Sequence, residues 1–198
     1  MAPDEYLNYL TRLKDIVALE VVPKTAIFDF FTSHIYKRDE EPEKVEPLIC
    51  YLQSALFTDI TFSIYRIYDR NADRNIFDFV KNAKQYADTI EWKTPLTEAD
   101  FRSQHQRLRS IKKELDNLRQ RRNKYFAHYD NEYFFNPNRM QDELPFSNED
   151  AKSLVRVAQS ILSDHSHAFD GSAAISIDGF VYVAAEQLYE RLRRSYSG

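Results

Sequence analysis

Two arginines, an asparagine and a histidine stand close together in the stretch "RRNKYFAHYD": Arg121, Arg122, Asn123 and His128. A guanidinium offers a rigid fork of donors that matches a phosphate and stabilises negative charge growing on a phosphoryl group. An imidazole gains or loses its proton near neutral pH. Together these groups suit RNA cleavage without a metal. A base takes the ribose 2′-OH proton, the oxygen attacks the adjacent phosphorus, and an acid protonates the leaving oxygen. Base and acid call for two histidines, and a symmetric dimer supplies the second. An Arg–His spacing of this kind arises by chance in an arginine-rich chain. The weight therefore rests on context: a polar Asn123, aromatic filling, the end of a long helix and a turn straight after His128.

The element that must position these groups is a helix expected over 97–128. Its apolar residues Phe101, Leu108, Ile111, Leu115, Leu118 and Tyr125 recur in threes and fours. Thr97 with Asp100 three residues on is a start signal of the capping-box kind. At ~100° per residue from Leu118, Arg122 falls about 40° round, inside the apolar stripe, while Arg121 and His128 share its edge at about −60° and −80°. A guanidinium on a packing seam is costly unless it is paired, hydrogen-bonded or wet. Three arrangements satisfy it: a pair with a carboxylate such as Asp69, snorkelling from a loosely packed helix end, or a seam that ends in a cleft facing a second subunit.

The rest of the chain supplies further helices. Helical spacing covers 4–20, with Pro23 expected to end that segment, and a second helix covers 25–36. The charged, proline-bearing 37–47 reads as a connection. A helix apolar on nearly all sides runs from Leu48 to Asp69 and belongs mid-bundle. After a polar turn, "IFDFVKNAKQYADTI" is amphipathic. A loop is expected at 130–146, a helix at 148–163 opened by Ser147 with Asp150, a second loop at 164–177, and a closing helix to Tyr196. The expectation is one all-α domain over 1–198, a multi-helix up-and-down bundle with one long central helix.

Only three glycines occur in 198 residues, beside 14 Phe and 13 Tyr, which disfavours hairpin-rich folds. The single Cys50 excludes an intramolecular disulfide and fits a reducing compartment. Charges throughout the first two dozen residues argue against a signal peptide, and no apolar run is long enough to span a bilayer. A cytoplasmic protein is expected. The net charge of −4 gives no global argument for nucleic acid. Between Arg102 and Lys124, however, nine basic residues face two acidic ones. Arg102, Arg107, Arg109, Lys112 and Lys113 form a strip that can neutralise RNA phosphates, or else a solvated helix face.

The spelling "LRQRRNKYFAH" resembles the signature of HEPN domains, in which an arginine, often followed by Asn, Asp or His, precedes a histidine by four to six residues. It is most similar to the AbiU-type branch, linked to abortive infection, a bacterial defence against phage. "SIYRIYDR", holding Arg66 and Asp69, resembles a stretch of the same branch. The resemblance implies a helical bundle that dimerises at the motif helix, with both motif copies lining one cleft, and metal-independent ribonuclease activity in catalytic members. Carried over by position, Arg122 is the phosphate-stabilising arginine, Asn123 the polar orienting residue and His128 the general acid/base. Five residues separate Arg122 from His128 where many members have four, which leaves Arg121 a rival. In the members silenced by nucleotidylation a tyrosine sits two residues after the histidine; here that residue is Asp130 and the tyrosine is Tyr129, so that regulation is not carried over.

The function expected is a metal-independent endoribonuclease of the toxin type, with RNA and a second copy of the chain as partners and no metal or cofactor. A cognate antitoxin or regulatory protein is a further partner of this reading. The alternative is a non-catalytic HEPN-like module that binds RNA, a nucleotide or a partner protein. Arg121, Lys124, Arg66 and Asp69 are auxiliary candidates, the last two also readable as an i, i+3 structural pair. His165 and His167 form an H-x-H placed in a loop, a weak metal signal without further ligands nearby. His34 and His105 read as surface or packing residues and Cys50 as core.

Overall fold

The computed structural model describes residues 2–37, 47–126, 137–172 and 178–196; among them there is helix and no strand. His128, Tyr129, Asp130 and much of the expected 130–146 loop lie outside the described residues. α1 (Pro3–Asp15) opens on a proline, with Asp4 and Glu5 in its first turn and Arg12 and Lys14 in its last, as the helix dipole favours. The chain does not stop at Pro23. A π-helical stretch, Ile16–Val21, leads directly into α2 (Val22–Lys37). A proline lacks the N–H for an α-helical bond and its ring meets the carbonyl four residues back. The wider π turn, in which the Val22 N–H reaches the Val17 carbonyl, lets the helix pass over it.

α3 (Pro47–Tyr68) is the mid-bundle helix expected, packed against α2. Asn75 caps α4 (Ile76–Gln85), its side-chain oxygen accepting from the Phe77 and Asp78 N–H groups at 3.0 Å. The expected helix over 97–128 is divided in two, α5 (Glu98–Ser110) and α6 (Lys112–Arg121). Ile111 leaves helical geometry at φ −97, ψ 16. At that point the Ser110 hydroxyl donates to the Arg107 carbonyl at 2.8 Å, the acceptor that the Ile111 N–H would use in a continuous helix. A second π stretch, Arg122–Phe126, follows α6 without a break.

A short α7 (Pro137–Glu143) occupies part of the expected 130–146 loop. α8 runs from Asn148 to Asp170, well past the expected end at 163, and closes on Gly171 in the left-handed region at φ 78. α9 (Asp178–Tyr196) completes the chain. The main core gathers Tyr6, Ile64, Phe79, Phe101, Leu118, Leu154 and Ile161 from six helices. A smaller cluster, Phe30 and Phe31 with Ala185 and Tyr189, seats α9 on α2. Among the described residues no helix is long and apolar enough to cross a membrane.

Both capping boxes are formed: Thr97 with Asp100, and Ser147 with Asp150. The Thr97 hydroxyl accepts from the Asp100 N–H, and the Asp100 carboxylate accepts in return from the Thr97 N–H at 2.7 Å. Thr97→Ala is expected to lower stability by about 1 kcal/mol, read as a shifted urea midpoint with an unchanged slope.

Candidate functional site

The helix that carries the motif ends against α3 on one side and the 144–146 linker on the other. The linker reaches over one edge of α6: Asn117 donates to the Pro145 carbonyl at 2.9 Å and the Arg121 Nε to the Leu144 carbonyl. Arg121 is thereby 3 % exposed. Its Nη2 is buried without a hydrogen-bond partner among the described residues. Burial draws this guanidinium below its ordinary pKa, with the Asp150 charge opposing. The stripe geometry set Arg121 on the stripe's edge and Arg122 inside it; in the structure Arg121 is the more deeply buried of the two and Arg122 is half-buried. The covering linker buries the edge that bears Arg121, and Arg122 opens the π turn.

Arg122 opens that π turn. Its guanidinium lies over the Tyr65 ring, 5.2 Å from the centroid, and its Nη1 donates to Asn123 Oδ1 at 2.9 Å. An arginine over an aromatic face is held by the ring quadrupole without losing its donors. Asn123 is itself exposed and Lys124 half-buried. π turns inside helices recur at functional positions, and this one begins at the motif arginine.

Tyr65 is a member of the site that the sequence did not single out. It sits one turn before Asp69, close enough for the carboxylate to act on its phenol. Burial, then the Asp69 charge, pushes its phenol up, while Arg122 and Arg119 pull it back. Among the described residues no ion pair joins Asp69 to Arg122, which meets the Tyr65 ring instead. The signal available in the sequence was the i, i+4 spacing of Tyr65 and Asp69. Arg66 turns away from Asp69: it pairs with Glu20 at 3.3 Å and also donates to Ser63. The expected i, i+3 bridge is replaced by a link from α3 to the first π stretch.

The basic strip divides. Arg107 points into the bundle, where it binds the Asp164 carboxylate and the Ser160 hydroxyl of α8. It joins helices and is withdrawn from any outward RNA face. Arg102, Arg109, Lys112 and Lys113 are exposed. Lys112 pairs with Asp116 at 2.6 Å. Arg109, Lys112 and Arg119 border a cleft of about 690 Å³ whose other wall is the end of α3, the following turn and the start of α4.

His165 and His167 lie in α8, not in a loop. His165 is fully buried, and both ring nitrogens are used: the Tyr6 hydroxyl donates to Nδ1 at 2.8 Å, and Nε2 donates to Gln104 Oε1 at 3.1 Å. Tyr6, Phe79, Trp92 and Phe101 surround the ring. Burial, helped by the Arg107 charge, pushes its pKa down to about 3. This is a neutral core histidine, with no nitrogen left for a metal.

Comparison with known proteins agrees with the resemblance read from the motif. The family model described as AbiU2, a HEPN family, matches residues 36–192, well over half of the 198-residue chain and including the whole motif helix. No curated protein and no solved structure gives a significant match. On the extent of the family match and its helical architecture, the chain belongs to the AbiU2 family of HEPN domains, of the abortive-infection type.

Proposed function

We propose that the chain is a metal-independent endoribonuclease acting in abortive infection, its cleft completed by a second copy of itself. The observation that carries this reading is the placing of Arg122. Its guanidinium is oriented by Asn123 Oδ1 and the Tyr65 ring, with no carboxylate neutralising it among the described residues. A phosphate is the group such a fork would take. In the reaction one His128 imidazole accepts the 2′-OH proton and the 2′-oxygen bonds to phosphorus. Arg122 stabilises the charge gathered on the phosphoryl oxygens. The bond to the 5′-oxygen breaks as the partner's His128 gives it a proton, leaving a 2′,3′-cyclic phosphate and a 5′-hydroxyl. Both histidines end with protons exchanged, and hydrolysis of the cyclic ester resets them.

The test is RNA degradation in EDTA by the wild type and by His128→Ala. Wild type is expected to cleave and to leave cyclic phosphate ends; RNA with 2′-O-methyl riboses is expected to survive. Equal cleavage by the two proteins would sink the role of His128 and favour a binding module, and a monomer of full activity would sink the two-copy cleft.

A further inference from the structure

We infer that the cleft between the α3–α4 turn and the α5–α6 face is a binding track for unpaired RNA that leads to Arg122. The inference rests on the nuclease reading for its end point, while its own support is the cleft.

One wall is built from the end of α5 and from α6: His105, Arg109, Lys112, Asp116 and Arg119 line it. Tyr65 lines the cleft as well, and Arg122 lies over its ring. The acid among these, Asp116, is already held by Lys112. Cations on the opposite wall come from other elements: Arg70 in the turn and Lys81 on α4. No ion pair or hydrogen bond engages Arg109 or Lys81 among the described residues. The acids of that wall accept hydrogen bonds from their own element, Asp69 from the Asn71 N–H at 3.0 Å and Asp78 from the Asn75 side chain at 2.7 Å. The cleft as a whole is lined by five cations against three carboxylates, and the excess lies on the α5–α6 wall, an arrangement that favours an incoming anion.

The floor specifies what kind of polyanion fits. Arg70 lies over the Phe77 ring, its Cζ 4.0 Å from the centroid, and Arg122 over the Tyr65 ring at 5.2 Å. Unpaired bases stack on aromatic rings and on guanidinium planes. The volume is that of a small-ligand pocket, too confined for a duplex, which proteins grip by its outer grooves. Single-stranded RNA, with bases on the Arg70–Phe77 layer and phosphates on Arg109 and Arg119, meets all these features.

The experiment uses the full chain in a His128→Ala background, so that no strand is lost to cleavage. Anisotropy of a fluorescein-labelled oligouridylate is followed over a salt series. Removing Arg109 and Arg119 together, by alanine, is expected to make the log–log salt dependence shallower by roughly 0.7 for each lost phosphate contact. Arg156→Ala, on the far side of the bundle, serves as control and is expected to bind as the parent does. An abasic oligomer is expected to bind more weakly, and duplex RNA to compete poorly. Unchanged slope and affinity in the double variant, an equal loss in the control, full competition by duplex, or no binding by the parent would each overturn the track. The two readings fail separately. Binding through the cleft with cleavage indifferent to His128 removes the nuclease and keeps the track. Cleavage that needs His128 with binding indifferent to Arg109 and Arg119 does the reverse.

Discussion

Arg122→Ala is expected to lower RNA cleavage by about 10²–10³-fold, the usual loss when one donor to a developing charge is removed, and to leave the thermal midpoint nearly unchanged. Its neighbour should behave in the opposite way. Arg121→Ala is expected to cost about 1–3 kcal/mol of stability while cleavage per folded molecule stays within a few-fold of wild type. The contrast comes from the partners. Arg121 is buried and spends its Nε on the Leu144 carbonyl, so its loss uncovers a backbone acceptor beneath the linker. Arg122 is half-buried, leans on Tyr65 and Asn123, and contributes little to the core. Arg122→Lys sharpens the test. Lysine keeps the charge but not the fork, so a partial rescue of rate marks a phosphate contact, whereas a structural role would show in the midpoint. Paired measurements of kcat and urea midpoint on the three variants decide it, and a large rate loss in Arg121→Ala alone would transfer the role to Arg121.

That contrast also shows where the sequence was legible. Helix starts were, because a capping box is written within four residues: Thr97 with Asp100 and Ser147 with Asp150 both formed as spelled. The mid-bundle character of the C-terminal half of α3 was legible from its apolar residues Ile60, Ile64 and Ile67, while Tyr51 and Leu52 near its start are exposed, and the motif pointed to the HEPN family that the family match bears out. Which arginine of a consecutive pair is buried was not. Periodicity knows only the helix's own stripe, and the edge bearing Arg121 is buried by residues 144–146, more than twenty positions on. Continuity was misjudged twice for the same kind of reason. α5 ends where Ile111 leaves helical geometry, whereas a π turn carries the first helix through Pro23. Such points turn on local backbone geometry, which a hydrophobic pattern does not resolve.

The polar run "SDHSH" misled for a different reason: its polarity is satisfied inside the bundle, and it carries the second large prediction. Stability is expected to fall steeply as the solution is acidified below about pH 6.5, and His165 is the reason. An unfolded chain protonates this histidine near 6.5, while the folded chain resists protonation down to about 3. Between those values the unfolded state binds the extra proton, so stability is full above 6.5 and drains as pH falls, by up to ~1.4 kcal/mol per pH unit. The fold cannot accommodate the charged ring. Nδ1 must stay an acceptor for the Tyr6 hydroxyl, the Arg107 guanidinium lies close by, and the surrounding aromatic rings offer no counter-charge. Asp164 faces the same region but is engaged by Arg107 and Gln104. By pH 4.5 the cost reaches roughly 2–3 kcal/mol, a large fraction of a domain's net stability. Carboxylates that titrate in the same window add a background slope common to any variant. The informative quantity is therefore the difference between wild type and His165→Gln, which keeps a polar group without a titrating one. Urea melts from pH 7.5 down to 4.5 should show the variant weaker at neutral pH, through lost packing, yet flatter on acidification, with the two curves converging. Parallel curves would mean that His165 is protonated as readily in the fold as out of it, and the buried Tyr6–His165–Gln104 chain would lose its place as the acid-sensitive joint between α1, α5 and α8.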